Sequence, residues 1–261
     1  MKRALTIAGS DSGAGAGIQA DLKTFAAHGV YGISAITALT AQNTLGVAGV
    51  HQVPAEFVTL QIETVVADIG CDAVKTGMLA TAAIVEAVAA AVEALDLPNL
   101  VVDPVMVAKG GDRLLDADAV HALRTALLRL ARVVTPNVPE AEVLADMSIA
   151  SVEDMREAGR RIRKVGPMAV VVKGGHLTSD DAIDLLIDGS GETLLTAPRL
   201  NVRNTHGTGC TFAAAIAARL ALGQSLDKAV RGAKDYVTGA MRHGIPVGDG
   251  HQPLGHFWQN R

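Results

Sequence analysis

Short β-branched apolar runs alternate with longer amphipathic segments along most of the chain. Residues 3–8, 33–39, 73–76, 100–103, 133–135 and 168–173 read as strands, apolar for most of their length. Helical spacing predicts helices over 16–28, 54–67, 81–95, 116–130, 139–145 and 151–165. Pro54 suits a first helical turn, and Thr81 and Ser151 are N-caps whose side-chain oxygens satisfy early N–H groups. Glu153 and Asp154 sit where the helix dipole favours negative charge. A hairpin is expected from 181–187 and 193–197 across Asp188-Gly189-Ser190-Gly191. Helices over 208–222 and 226–243 then precede a tail rich in Gly and His.

Strand–helix alternation of this kind implies a three-layer α/β/α sandwich, its mostly parallel central sheet covered on both faces and joined by right-handed crossovers. Neither linker nor repeat interrupts it, so one domain over 1–261 is expected. In such folds ligands bind beyond the carboxyl ends of the strands. Polar and glycine residues gather at those ends: Gly9-Ser10-Asp11, Thr40-Gln42-Asn43, Thr76-Gly77-Met78, Asp103, Asn137 and Lys173-Gly174-Gly175-His176.

Composition narrows the function. Hydrophobic residues make up 49% of the chain and aromatics only 3%, enough for a large core but no platform for stacking nucleic-acid bases. Net charge is −4, and the one basic run, Arg160-Arg161-Ile162-Arg163-Lys164, reads as the solvated end of a helix. No nucleic-acid or membrane partner is expected. The apolar run after Met1-Lys2-Arg3 is too short for a signal peptide, and Gly9-Ser10-Asp11 interrupts it. With Cys71 and Cys210 far apart, neither a disulfide framework nor a zinc site is indicated, and a cytoplasmic protein is expected.

Gly207-Thr208-Gly209-Cys210 leads into an Ala-rich helix. Unpartnered N–H groups at a helix start carry partial positive charge, and glycine lets a phosphoryl group come close. The turn reads either as an anion hole or as a plain helix cap. A thiol at a helix N-terminus has its pKa lowered in many proteins, so Cys210 is a candidate base or nucleophile. A Cys-based phosphatase would want an arginine six residues on, where the chain has Ile216. Gly15-Ala16-Gly17-Ile18-Gln19-Ala20 fits a dinucleotide-binding pattern, yet no acid lies between Asp21 and Glu56 to hold a ribose, and no Walker motif occurs. Asp103 and Glu140 are acids at strand ends, suited to Mg2+ or to helix caps. Lys173 ends an apolar strand, where an anionic ligand is its natural partner. His176, His206, His251 and His256 have no metal spacing and read as surface or loop residues, and Cys71 reads as core.

Seven segments in order resemble the ribokinase-like superfamily, and within it the hydroxymethylpyrimidine/phosphomethylpyrimidine kinases of thiamine biosynthesis. They are A-G-S-D-S-G-A-G-A-G-I-Q-A-D-L-K-T (8–24), I-T-A-L-T-A-Q-N-T (36–44), K-T-G-M-L (75–79), D-P-V-M (103–106), T-P-N-V-P-E-A (135–141), V-K-G-G-H (172–176) and H-G-T-G-C-T (206–211). The resemblance implies that Gly9, Asp21, Gln42 and Met78 line a pyrimidine pocket, with Gln42 bonding the aminopyrimidine edge. It implies that Asp103, Asn137 and Glu140 surround Mg2+ and the ATP phosphates, with Asp103 and Glu140 meeting the metal directly or through water. Lys173 would contact nucleotide phosphate, and Gly207, Thr208, Gly209 and Cys210 would cradle the transferring group. Most ribokinase-like enzymes resemble one another in a basic Asp at the place of Cys210; the pyrimidine kinases have Cys, as here. Two successive phosphorylations, of the alcohol and then of the monophosphate, and a homodimer are implied. Pyridoxal kinase, a sugar kinase and a non-catalytic module on the same scaffold are the competing readings.

Overall fold

The computed structural model describes residues 1–106, 117–175, 181–202 and 204–260. In β1 (Arg3–Asp11), Leu5 and Ile7 enter a core on one face while Ala4 enters a second core on the other. The period-2 side-chain alternation of a strand buried on both faces accounts for the continuous apolar run. The same division recurs in β4 (Ala73–Thr76), β5 (Leu100–Val102), β6 (Val133–Val134) and β7 (Val170–Lys173).

These strands and β2 (Tyr31–Gln42), β3 (Val47–Gln52), β8 (Asp181–Asp188) and β9 (Gly191–Pro198) form a nine-stranded sheet ordered β3-β2-β1-β4-β5-β6-β7-β8-β9. Pairings from β2 to β7 are parallel. Antiparallel strands complete both edges. On one face pack α2 (Ala55–Asp68), α3 (Ala82–Ala94), α4 (Ala117–Ala122), α5 (Val138–Ala145) and α6 (Val152–Lys164). On the other lie α1 (Gly17–Ala27), α7 (Thr208–Ala221) and α8 (Leu226–Arg242). The expected three-layer sandwich with a mostly parallel sheet is present.

The helix starts follow their caps. Thr81 accepts from the Ile84 N–H, and Ser151 from the Asp154 N–H at 3.1 Å. Such caps contribute about 1 kcal/mol each. The stretch after α4 loosens and then tightens, through a π-helical Leu123–Leu127 and a 3-10 turn Leu128–Leu130, where uninterrupted helix was expected. Residue 116, its expected start, lies outside the described residues, as does His176.

Three strands escape the pattern. β3 is an edge strand with five exposed residues, so it carries no apolar alternation. The short β10 (Asn204–His206) and β11 (Gln252–Pro253) pair with each other in a separate small sheet. β1 has β2 on one side and β4 on the other, so the chain reverses its progress across the sheet between β1 and β4. A ligand crevice is expected at such a point.

Candidate active site

The carboxyl ends of β1, β2, β4, β5 and β7 and the start of α7 open into one cavity of about 870 Å3. Gly9, Gln42, Met78, Asp103, Asn137, Glu140, Lys173 and the whole of Gly207–Cys210 line it. Eleven of the expected site residues, seven single positions and the four-residue turn, thus meet in one place. Gly9 and Met78 are immediate neighbours across the β1/β4 switch: a Cβ on Gly9 would lie 3.3 Å from the Met78 sulfur.

The Gly207 turn is built for backbone approach. Gly207 has φ 80°, and a Cβ there would fall 1.9 Å from the Gly15 carbonyl oxygen. Only glycine meets both demands. No side chain caps α7 and no acid stands in its first turn, so its early N–H groups have no side-chain partner, and the residues that carry them line the cavity. A Cβ on Gly209 would lie 3.2 Å from the Lys173 Nζ and 3.5 Å from the Asp103 Oδ2, which puts the turn beside the charged residues.

Lys173 donates to Asp103 Oδ1 at 2.9 Å, and the Thr135 hydroxyl donates to the same oxygen at 3.2 Å. Burial alone would discharge Lys173, but the carboxylates of Asp103 and Glu140 outweigh it and hold its pKa above the usual lysine value. Asn137 and Glu140 form a capping box: the Asn137 N–H donates to Glu140 Oε2 at 2.8 Å, and the Glu140 N–H to Asn137 Oδ1 at 2.9 Å. The helix-cap reading of Glu140 is borne out, and the same residue lines the cavity. Burial pushes the Glu140 carboxyl up to about 7 against the pull of Lys173, and Asp103 adds to the rise. A cation bound there would restore its charge. Among the described residues no cluster of three His, Cys, Asp or Glu could hold a metal by itself. Two carboxylates beside a phosphate turn suit Mg2+, which keeps few protein ligands.

Two expectations are corrected. Asp21 does not line the cavity: it is wholly buried, accepting from Lys75 Nζ at 2.8 Å and from the Thr6 hydroxyl at 2.6 Å. Cys210 does not have the lowered pKa of a helix-start thiol. Burial pushes it up to about 11, outweighing the Lys75 ammonium and the Gly17 N–H that pull it down.

Lys75 and His206 were missed as cavity-lining residues, and Asp11, noted among the strand-end polar residues, was given no role. Lys75 carried the signal used for Lys173, a lysine in an apolar strand. Burial opposes its charge, but Asp21 outweighs this and raises its pKa. Of the described histidines, His206 and His256 are not surface residues. His206 lies 2.8 Å from Asp11, and His256 is 3% exposed. His251 is exposed at the cavity rim, and Cys71 is partly buried against the core. A second buried pair, Lys234 and Asp184 at 2.8 Å, also borders the cavity, beside the apolar Phe212, Val237 and Met241.

In the comparison with known proteins, a phosphomethylpyrimidine kinase family model matches residues 11–255. The chain belongs to the phosphomethylpyrimidine kinase family. A hydroxymethylpyrimidine/phosphomethylpyrimidine kinase from Streptomyces coelicolor is 53% identical over 97% of this chain and 94% of its own length. A thiamine biosynthesis bifunctional protein from Geobacter sulfurreducens is also 53% identical over 97% of this chain, which spans only 52% of that longer relative. Among solved structures, an ADP complex of Bacillus subtilis pyridoxal kinase superposes with a TM-score of 0.93 at 40% identity, covering 100% of this chain and 99% of its own. Phosphomethylpyrimidine kinases and a pyridoxal kinase thus share this architecture.

Proposed function

We propose that the cavity catalyses ATP-dependent phosphorylation of 4-amino-5-hydroxymethyl-2-methylpyrimidine to its monophosphate, and of the monophosphate to the diphosphate. The observation that carries this reading is the convergence of the Gly207–Cys210 turn, Lys173, Asp103 and Glu140 on one side of a cavity whose other lining includes Gly9, Gln42 and Met78. Family membership supports the substrate class.

Phosphoryl transfer is mainly positioning and stabilisation of charge on the moving oxygens. In this reading the α7 N–H groups hold the transferring group while the substrate hydroxyl oxygen bonds to phosphorus and the bond to the ADP oxygen breaks. Lys173 faces the nucleotide phosphate. Asp103 and Glu140, with Asn137 fixing Glu140, would hold Mg2+ directly or through water, and the ion would supply positive charge against the phosphate oxygens. Cys210 takes the hydroxyl proton in the first transfer. With its thiol pushed to about 11 the thiolate is a minor species at neutral pH, and substitution tests this role directly. The reading includes a cytoplasmic location and a homodimer, the latter consistent with the exposed apolar Val50, Phe57 and Leu60 on β3 and α2.

Phosphorus NMR of a reaction with ATP, Mg2+ and the hydroxymethylpyrimidine is expected to show a phosphomonoester first and a diphosphate ester later. Pyridoxal phosphorylation is the second reading, favoured by the close superposition on a pyridoxal kinase. Formation of pyridoxal phosphate with no pyrimidine phosphoester would replace the first reading by the second.

A further inference from the structure

Three segments distant in the chain meet at one histidine. The carboxylate of Asp11, at the end of β1, accepts from the backbone N–H groups of Gly13, Gly15 and Ala16 at 2.8, 3.1 and 2.8 Å. Its remaining contact is His206 Nε2, at 2.8 Å from Oδ2. Burial would raise the Asp11 carboxyl, but the His206 bond and these N–H groups outweigh it and hold it below the usual range. An ionised carboxylate only accepts, so His206 carries its proton on Nε2. That same nitrogen lies 3.4 Å from the amide nitrogen of Gln42, at the end of β2.

His206 immediately precedes the phosphate turn, and the junction leaves no slack. A Cβ on Gly15 would fall 2.2 Å from the His206 ring, and one on Gly207 would fall 1.9 Å from the Gly15 carbonyl oxygen. The backbone behind the ring is also held, because His206 pairs with Pro253 across β10 and β11. The N–H of neighbouring His251 donates to the Thr44 carbonyl at 2.9 Å, just beyond Gln42. Asp11, Gln42, His206 and Gly207 all border the cavity.

We propose that His206 is a positioning residue that keys the phosphate turn to the substrate pocket: bonded to Asp11 and packed against Gln42, it fixes where Gly207 starts α7 relative to the bound pyrimidine. This deepens the function proposed above and rests on it. Losing the ring loosens the turn and removes the packing against the Gln42 amide nitrogen, leaving that side chain only the Thr40 hydroxyl on its Oε1 at 3.1 Å, while Lys173, Asp103 and Glu140 keep their own bonds.

The test is steady-state kinetics of His206→Ala and His206→Gln with the hydroxymethylpyrimidine and Mg-ATP, alongside calorimetric binding of the pyrimidine. For His206→Ala, kcat is expected to fall about 10–100-fold, the cost of a misplacement of about an ångström. The pyrimidine KM and Kd should rise about tenfold and the Mg-ATP KM should stay within about threefold. The glutamine amide reaches Asp11 as a donor, so His206→Gln should recover most of both losses. An unaltered His206→Ala enzyme, an equal rise in the Mg-ATP KM, or a His206→Gln variant no better than alanine would overturn the proposal. Should His206→Ala not fold, the pyrimidine Kd of His206→Gln against His206→Leu decides in the same way. Failure of the wild-type protein to turn over the pyrimidine would instead remove the proposed function.

Discussion

Lys75 Nζ lies 2.8 Å from Asp21 Oδ2, and neither side chain has any surface open to solvent. Lys75 is part of the cavity lining and Asp21 is not, and the Thr6 hydroxyl sits on the same carboxylate oxygen. Gly77 follows closely, since a Cβ there would stand 2.7 Å from Nζ. Removing one partner strands the other charge in the core. Lys75→Met or Asp21→Leu alone is expected to cost about 3–5 kcal/mol, whereas the double substitution costs much less. Urea unfolding of the three variants measures this, and additive losses would contradict it.

Gly207→Ala tests the turn. The left-handed φ alone costs about 1–3 kcal/mol in a residue with a side chain. The clash with the Gly15 carbonyl adds to it and displaces the start of α7, which the proposed function assigns to the transferring phosphate. A lower melting temperature and a kcat reduced by about 100-fold or more are expected, the scale of losing an oxyanion-hole donor.

Cys210→Ala separates two roles for the thiol. As base it matters only where a hydroxyl loses a proton, so phosphorylation of the alcohol should slow by about 100-fold and that of the monophosphate much less. Equal losses in the two steps, followed by product analysis, would make Cys210 architectural.

His256 gives the fold a pH dependence. Its Nε2 lies 3.1 Å from the Thr211 hydroxyl, one residue beyond Cys210, and burial pushes its pKa from 6.5 down to about 4. The folded state therefore favours neutral His256. That contribution is complete above pH 6.5 and is lost as pH falls toward 4, about 3 kcal/mol in all. His256→Gln keeps a polar partner for Thr211 and should flatten the stability profile across this window, as read from denaturant midpoints.

The sequence exposed the central strands because each is buried on both faces, leaving unbroken apolar runs such as 170–172 of β7. It hid β3, whose exposed residues obey no burial pattern, and β10 and β11, which are too short for one. Site residues at strand ends were legible because glycine and charge interrupt an apolar run there. Asp21 misled because its helix position does not reveal which way a buried carboxylate points. Lys75 claims it from a strand 54 residues away. His206 was read as loop because its partner Asp11 is 195 residues distant, and only folding joins them. Cys210 misled through a local rule: the helix start favours a thiolate, and burial overrides it.

ATP consumption measured across the hydroxymethylpyrimidine, its monophosphate, pyridoxal and ribose tests the kinase reading most directly. Turnover of the first two, well above the rate with ribose, is the predicted result. Turnover of none of the four would contradict it.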